Sequence, residues 1–186
     1  MSKTVAFIIA TLLIIALVGF FISIFNKLVM LKYNIDKAWA NIDVILKQRA
    51  DEIPNIVKVV IQFAHHEEKI LNHLTELRTN FLNSPTIEEK TNISNEISKS
   101  LKSVFAITEN YPNLLSNNNF IELQKRISDL EDKIADRREF FNDSINLYNI
   151  GIHEFPNLLL AITLGYNNKT LLEVTTLEKQ YNGIQF

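Results

Sequence analysis

The chain opens on an unbroken apolar run and then changes to a pattern in which apolar residues recur every three or four positions. Val5 to Phe25 reads VAFIIATLLIIALVGFFISIF, 21 residues without a charge. As a helix rising 1.5 Å per residue it is roughly 31 Å long, about the hydrocarbon thickness of a bilayer. A buried core helix usually keeps one polar face, which this run lacks. A cleaved signal peptide has a shorter apolar region ending in small residues, whereas Phe20, Phe21 and Phe25 crowd that end here. Residues 1–25 are therefore expected to be a short tail and an uncleaved transmembrane helix.

Beyond the run, Leu28, Leu31, Ile35, Ala38, Ile42 and Ile45 form a heptad seam of the coiled-coil kind. No Gly or Pro interrupts the chain from Phe20 to Gln48, so the membrane helix is expected to continue as the first helix of the soluble part. Pro54 is expected to stop it, because the residue before a proline disfavours helix and proline itself suits a helix start. Asp51 stands just ahead, where it is placed to cap the next helix.

The second helix is expected over about 54–83 on the stripe Ile56, Val60, Phe63, Ile70, Leu74, Leu77 and Phe81. Asn83-Ser84-Pro85 ends it, and Thr86 with Glu89 makes a capping box for a third helix over about 86–110. That helix turns Ile93, Ile97, Leu101, Val104 and Phe105 inward and closes at Tyr111-Pro112, before a loop at 116–119. The fourth helix, about 119–154, carries Phe120, Leu123, Ile127, Leu130, Ile134, Phe141, Ile145, Tyr148 and Ile152, with Arg137 on the seam. Short connections imply antiparallel neighbours. The expected fold class is all-α: a transmembrane helix continuing into an antiparallel up-down-up-down four-helix bundle over 26–154, followed by an apolar segment and tail over 155–186.

Composition agrees with this picture. Only 4 Gly and 4 Pro occur in 186 residues, too few for the turns of a strand-rich fold. The absence of Cys excludes disulfides, thiolate metal sites and a Cys nucleophile. Only Lys3 among the basic residues precedes the apolar run, leaving 18 basic against 21 acidic side chains beyond it. That balance offers no domain-wide basic field for nucleic acid. Lys27, Lys32 and Lys37 follow the run closely, so the positive-inside bias places the soluble domain in the cytoplasm. Sequons at Asn92, Asn142 and Asn168 carry no weight against this in a chain with 21 Asn.

Candidate chemistry is sparse. A di-iron bundle needs Glu-x-x-His pairs on facing helices. The residues three before His65, His66, His73 and His153 are Gln62, Phe63, Ile70 and Ile150. His65, His66, Glu67 and Glu68 are adjacent residues that diverge by about 100° each on a helix and suit a solvated face better than a metal. No glycine-rich phosphate loop or nucleophile elbow occurs. Paired acids such as Glu131 with Asp132 are expected on helix surfaces. No cofactor, metal or small-molecule substrate is indicated. Arg49 and Arg137, charges on apolar seams, are candidates for fixing register.

The residues Asn26, Leu28-Val29, Asn34, Ala38-Trp39, Ile42-Asp43-Val44, Leu46-Lys47, Arg49, Asp51 and Ile53-Pro54-Asn55 form a long ordered pattern, continued by His66-Glu67, Leu71 and Arg78. A second block runs through Tyr111-Pro112, Phe120, Leu123-Gln124, Glu131, Ile134, Arg138, Asn142, Tyr148-Asn149, Phe155-Pro156, Ala161 and Gly165-Tyr166. In these blocks the chain resembles the LemA family of bacterial membrane proteins. Gln48 and Ala50 depart from the family pattern, which usually has a basic residue and an aromatic there, and residues 82–110 are not diagnostic. The resemblance implies a single N-terminal span and a helical cytoplasmic bundle. It supplies no reaction, and relatives connected with membrane-compartment formation suggest scaffolding only by analogy.

The expected function is a non-catalytic membrane scaffold or adaptor that holds other proteins, or copies of itself. The alternative is a sensor signalling along the continuous first helix. Four passes return residues 155–166, FPNLLLAITLGY, towards the bilayer. Phe155, Leu158, Leu159, Leu160, Ile162 and Leu164 are therefore candidate membrane contacts, against the alternative of a cap on the open end of the bundle. Trp39 and Asp43 share a helix face, and a Trp there suits the core. Asp51 and Asn55, expected in the turn farthest from the membrane, are candidates for partner docking.

Overall fold

The computed structural model describes residues 2–172, and every regular element among them is helical. The tail beyond 172, part of the expected 155–186 segment, lies outside the described residues. The elements are α1 (Ser2–Val60), a 3₁₀ turn (His65–Glu67), α2 (Glu68–Asn83), α3 (Ile87–Thr108), α4 (Pro112–Leu115), α5 (Asn118–His153) and α6 (Asn157–Thr163). They gather into two compact units, one drawn from Met1–Trp39 and Phe140–Leu171, the other built on Ala40–Glu139.

α1 changes character along its length. Residues 3–23 are exposed on every side, and this stretch is long and apolar enough to cross a membrane. From Ile24 and Leu28 onwards a single buried stripe takes over, through Ile35, Ala38 and Ile42 to Leu46, Ala50, Ile53, Ile56 and Val60. The seam keeps the expected phase to Ile42. Leu46 then enters the core in place of Ile45, which is only half-buried.

Pro54 does not stop α1, contrary to the sequence expectation: the helix runs through it to Val60. A proline inside a helix orphans the carbonyl four residues earlier, here that of Ala50. Arg78 of α2 repairs the loss, its Nε donating to the Ala50 carbonyl at 3.0 Å. Asp51 is thus an interior helical residue and caps nothing. The break comes after Val60, whose carbonyl accepts from the N–H groups of Phe63 and Ala64.

Within the Ala40–Glu139 unit, α2 packs on α3 and buries Leu71, Leu74, Leu77 and Phe81. The turn between them carries the Thr86 half of the expected capping box, the hydroxyl accepting from the Glu89 N–H at 3.2 Å. α3 buries Ile97, Leu101 and Val104 as expected. Its stripe also takes in Thr91, Ser94, Ser100 and Thr108, while Ile93 stays half-buried. Asn117 rather than Asn119 starts α5, its side-chain oxygen accepting from the Phe120 N–H at 3.2 Å. Phe120 meets Phe105 edge-on, with ring centroids 6.2 Å apart.

In the other unit, Trp39 packs edge-on against Phe141 at 5.9 Å. Lys27 pairs with Glu154 at 3.0 Å. Gly151 leaves room for the Leu31 side chain where a Cβ would collide with it. After α5 the chain turns through a cis Phe155–Pro156 bond, and Asn157 donates to the Gly151 carbonyl at 2.9 Å. α6 ends on Gly165 at φ 68°, with the Tyr166 N–H on Ala161 and the Gly165 N–H on Ile162, the paired bonds of a Schellman cap. Residues 167–169 lie back on α5. Asn149 exchanges two 2.9 Å bonds with the Lys169 backbone, and the Tyr148 hydroxyl donates to the Asn167 carbonyl at 3.2 Å.

Candidate functional site

The α1 stripe that delivers Leu46, Ala50 and Ile53 to the core also delivers Arg49, because all four fall on one helical face. Its side chain is 1% exposed, and a guanidinium so placed must find acceptors. It finds them on two other helices. Nη1 donates to the Ser98 hydroxyl and to Glu131 Oε1, each at 2.6 Å, while Nη2 donates to the Ser94 carbonyl at 2.9 Å and the Ser94 hydroxyl at 2.7 Å. Only Nε lacks a partner. Ser94 and Ser98 stand four residues apart on α3, one turn of helix, so both hydroxyls meet the same guanidinium.

A second cation joins them. Arg138, also buried, donates to the Ser94 hydroxyl at 3.3 Å and to Asn95 Oδ1 at 2.8 Å. Burial is the main influence pulling the Arg49 pKa below the ordinary arginine value. The Glu131 carboxylate opposes it and Arg138 adds to the fall. Ser98 and Glu131 face outward into an α3–α5 groove of about 560 Å³, with Leu101, Phe105, Ile121 and Ile127 among its apolar walls. The cluster joins α1, α3 and α5 through one guanidinium.

Of the two arginines singled out in the sequence, Arg49 is at the centre of this network. Arg137 is exposed, and Arg138 occupies the inward position expected of it. Glu131, expected on the surface, is 33% exposed and carries the ion pair. Asp51 lies 3.7 Å from Arg78 and borders a shallow hollow with Gln48, Glu52, Arg126 and Lys133. Asn55 donates to Glu52 at 2.9 Å on the same exposed helix face. Asp43 accepts from Lys90 at 2.6 Å.

His65 and His66 are exposed, whereas Glu67 accepts from the Tyr111 hydroxyl at 3.2 Å. Burial and then Glu67 raise the Tyr111 pKa. Among the described residues no three His, Asp or Glu side chains gather as metal ligands would. Phe155, Leu159, Ile162 and Leu164 are exposed, and Leu158 and Leu160 are half-buried.

An all-helical chain with one long apolar N-terminal helix defines a class, the membrane-associated helical proteins. The LemA family model matches residues 38–186, and the chain belongs to the LemA family. Magnetosome proteins MamQ 1 and MamQ 2 of Paramagnetospirillum magneticum are each 23% identical to it over 185 residues, covering 86% of this chain and 68% of the relative. Magnetosome protein MamQ of Magnetospirillum gryphiswaldense is 23% identical over 184 residues, covering 85% and 68%.

Proposed function

We propose that the chain is a single-pass membrane scaffold or adaptor without catalytic activity, holding other proteins or copies of itself at the cytoplasmic face. One observation carries this reading: α1 is exposed and apolar over its first turns and becomes a buried core helix without a break. An anchor that is also a core element holds the domain on the membrane by its own fold. The charges of the deepest polar cluster are spent on one another and on α3, which suits a structural role. Lys27, Lys32 and Lys37 support the cytoplasmic orientation, and relatives named as magnetosome proteins support a place at a membrane.

The bundle is taken to be antiparallel and up-down-up-down. Support comes from contacts within each unit, where rising numbers on α1 meet falling numbers on α5. They are Lys27 with Glu154 and Trp39 with Phe141 in one unit, and Arg49 with Glu131 and Glu52 with Arg126 in the other. Partner docking is assigned to the exposed α1 face carrying Asp51 and Asn55, beside the hollow at Gln48 and Arg126.

The continuity of α1 also favours a second reading, a sensor that passes a rotation along that helix. One experiment separates the two: chemical cross-linking of the full chain in its native membrane. The double variant Asp51→Ala with Asn55→Ala should keep its stability and lose most cross-linked species, and unchanged species would remove the docking face. A one-residue insertion after Phe21, in the exposed part of α1, turns everything beyond it by about 100° relative to the residues before it without entering the buried stripe. A scaffold should keep its cross-links and its cellular activity, whereas loss of activity with cross-links intact would replace it by the sensor.

A further inference from the structure

We infer that α6 and the Phe155–Pro156 corner form a second membrane contact, a short apolar ledge in the bilayer interface beside α1. The inference rests on the anchor reading and adds a lipid-facing surface to it.

Two things on the chain fix the height of this ledge. Lys27 is the second residue after the apolar run ends at Phe25, and its ammonium holds Glu154, the residue before Phe155. The chain therefore turns into α6 at the level where α1 leaves the hydrocarbon, since two helical residues rise only about 3 Å. Ile24 gives the same height from the other side. Every residue from 3 to 23 is exposed, but Ile24 is 6% exposed and Leu28 fully buried, so other residues of this unit cover the last turn of the span.

The ledge has two faces. Asn157 and Ala161 are buried, while Phe155 at 81%, Ile162 at 70% and Leu159 are exposed. Leu159 and Ile162 are three apart on α6 and share its outward side, and Phe155 stands exposed in the turn just before the helix. Both ends are tied, by Asn157 on the Gly151 carbonyl and by the Gly165 cap, which holds the apolar face in one orientation. Above it the Lys32 ammonium lies 5.8 Å from the centre of the Tyr166 ring. A lysine and a tyrosine about 10 Å beyond the apolar run suit the headgroup layer. An apolar helix face inserts about 5–10 Å into that boundary when it lies in the interface plane. Continuity with the span selects lipid as the occupant over a second copy or a soluble partner.

The chain has no cysteine, so single nitroxide labels can be placed on the full protein in phosphatidylcholine vesicles. Labels at Leu159→Cys and Ile162→Cys should collide with oxygen, which concentrates in lipid, several-fold more relative to a water-soluble nickel chelate than a label at exposed Ser103→Cys. A label at Leu13→Cys, inside the run, should show the largest such ratio. Labels at 159 and 162 that match Ser103 would overturn the ledge while Leu13 upholds the anchor. Labels shielded from both reagents would overturn it in favour of a protein cover. A Leu13 label that matches Ser103 would overturn the anchor itself and the ledge with it.

Discussion

In the unit built on Ala40–Glu139, charge is turned inward: Arg49 and Arg138 are buried among Ser94, Ser98, Asn95 and Glu131. In the unit drawn from Met1–Trp39 and Phe140–Leu171, apolar surface is turned outward, over the first turns of α1 and again at Phe155, Leu159 and Ile162. Its buried polar groups are neutral and serve the backbone, as Asn157 does for Gly151 and Tyr148 for Asn167. The contrast teaches that one chain is built for two solvents. On the proposed reading, water surrounds the helices that hold the buried ionic cluster, and lipid meets the exposed apolar faces.

The largest effect should come from breaking the ionic cluster on the side that strands a charge. Arg49 is 1% exposed and Glu131 33%, so the pair is asymmetric. Glu131→Ala leaves a buried guanidinium without its counter-charge and should cost about 3 kcal/mol, the lower end for a broken buried pair. Arg49→Met leaves an acid that already reaches water. It should cost only about 1.5 kcal/mol, for the lost bonds to Ser94 and Ser98, which keep Arg138 and Glu131 as partners. Urea unfolding of the full chain in lipid nanodiscs, followed by helical circular dichroism, measures both. Equal costs would show that the cluster is not the buried centre the contrast requires.

A smaller effect should isolate the repair at Pro54. Arg78→Ala leaves the Ala50 carbonyl without a donor and should cost about 2 kcal/mol. Pro54→Ala supplies the missing N–H from within the helix. In that background the cost of Arg78→Ala should fall by about 1 kcal/mol, a coupling read directly from the double-mutant cycle. Additive costs would mean that Arg78 acts through Asp51 instead.

How far the sequence carried these features depends on whether their cause is local. The apolar run, the Thr86 cap and the seam of α5 rest on periodicity and near neighbours, and the structure follows them closely, whereas the second helix expected over about 54–83 begins only at Glu68, because Ile56 and Val60 stay in α1. Pro54 was misleading because its compensation comes from Arg78, 24 positions away in the chain and on another element. Arg137 and Arg138 lie three and four residues after Ile134, and both spacings fit a helical seam, so only packing tells them apart. Arg49 stood out as a charge among apolar neighbours. Its partners did not, since Ser94 and Ser98 look like any polar residues on an exposed face, and Glu131 sits beside Asp132 in what reads as a solvated pair. An ion pair between distant helices leaves a signal in the sequence at its buried member only.

The smallest effect tests the neutral polarity of the unit drawn from Met1–Trp39 and Phe140–Leu171. Burial first, and then Tyr166 nearby, raise the Tyr148 pKa above its ordinary value of 10.0. Below pH 10 the phenol is protonated whether the chain is folded or not, and its contribution is fully present. As pH rises past 10 the unfolded chain loses its proton first, so stability falls until the folded pKa is passed. Tyr148→Phe removes the hydroxyl that donates to Asn167 at 3.2 Å and should cost about 0.5 kcal/mol at neutral pH. Its larger signature is in slope: between pH 9 and 11, about the ordinary tyrosine range, the variant should lose stability less steeply than the parent. Tyr111 has a raised pKa for a similar reason, with Glu67 as its partner, so some alkaline loss must persist in the variant. An unchanged slope would mean that the Tyr148 hydroxyl meets water freely, and that this unit holds its polar groups no deeper than its apolar ones.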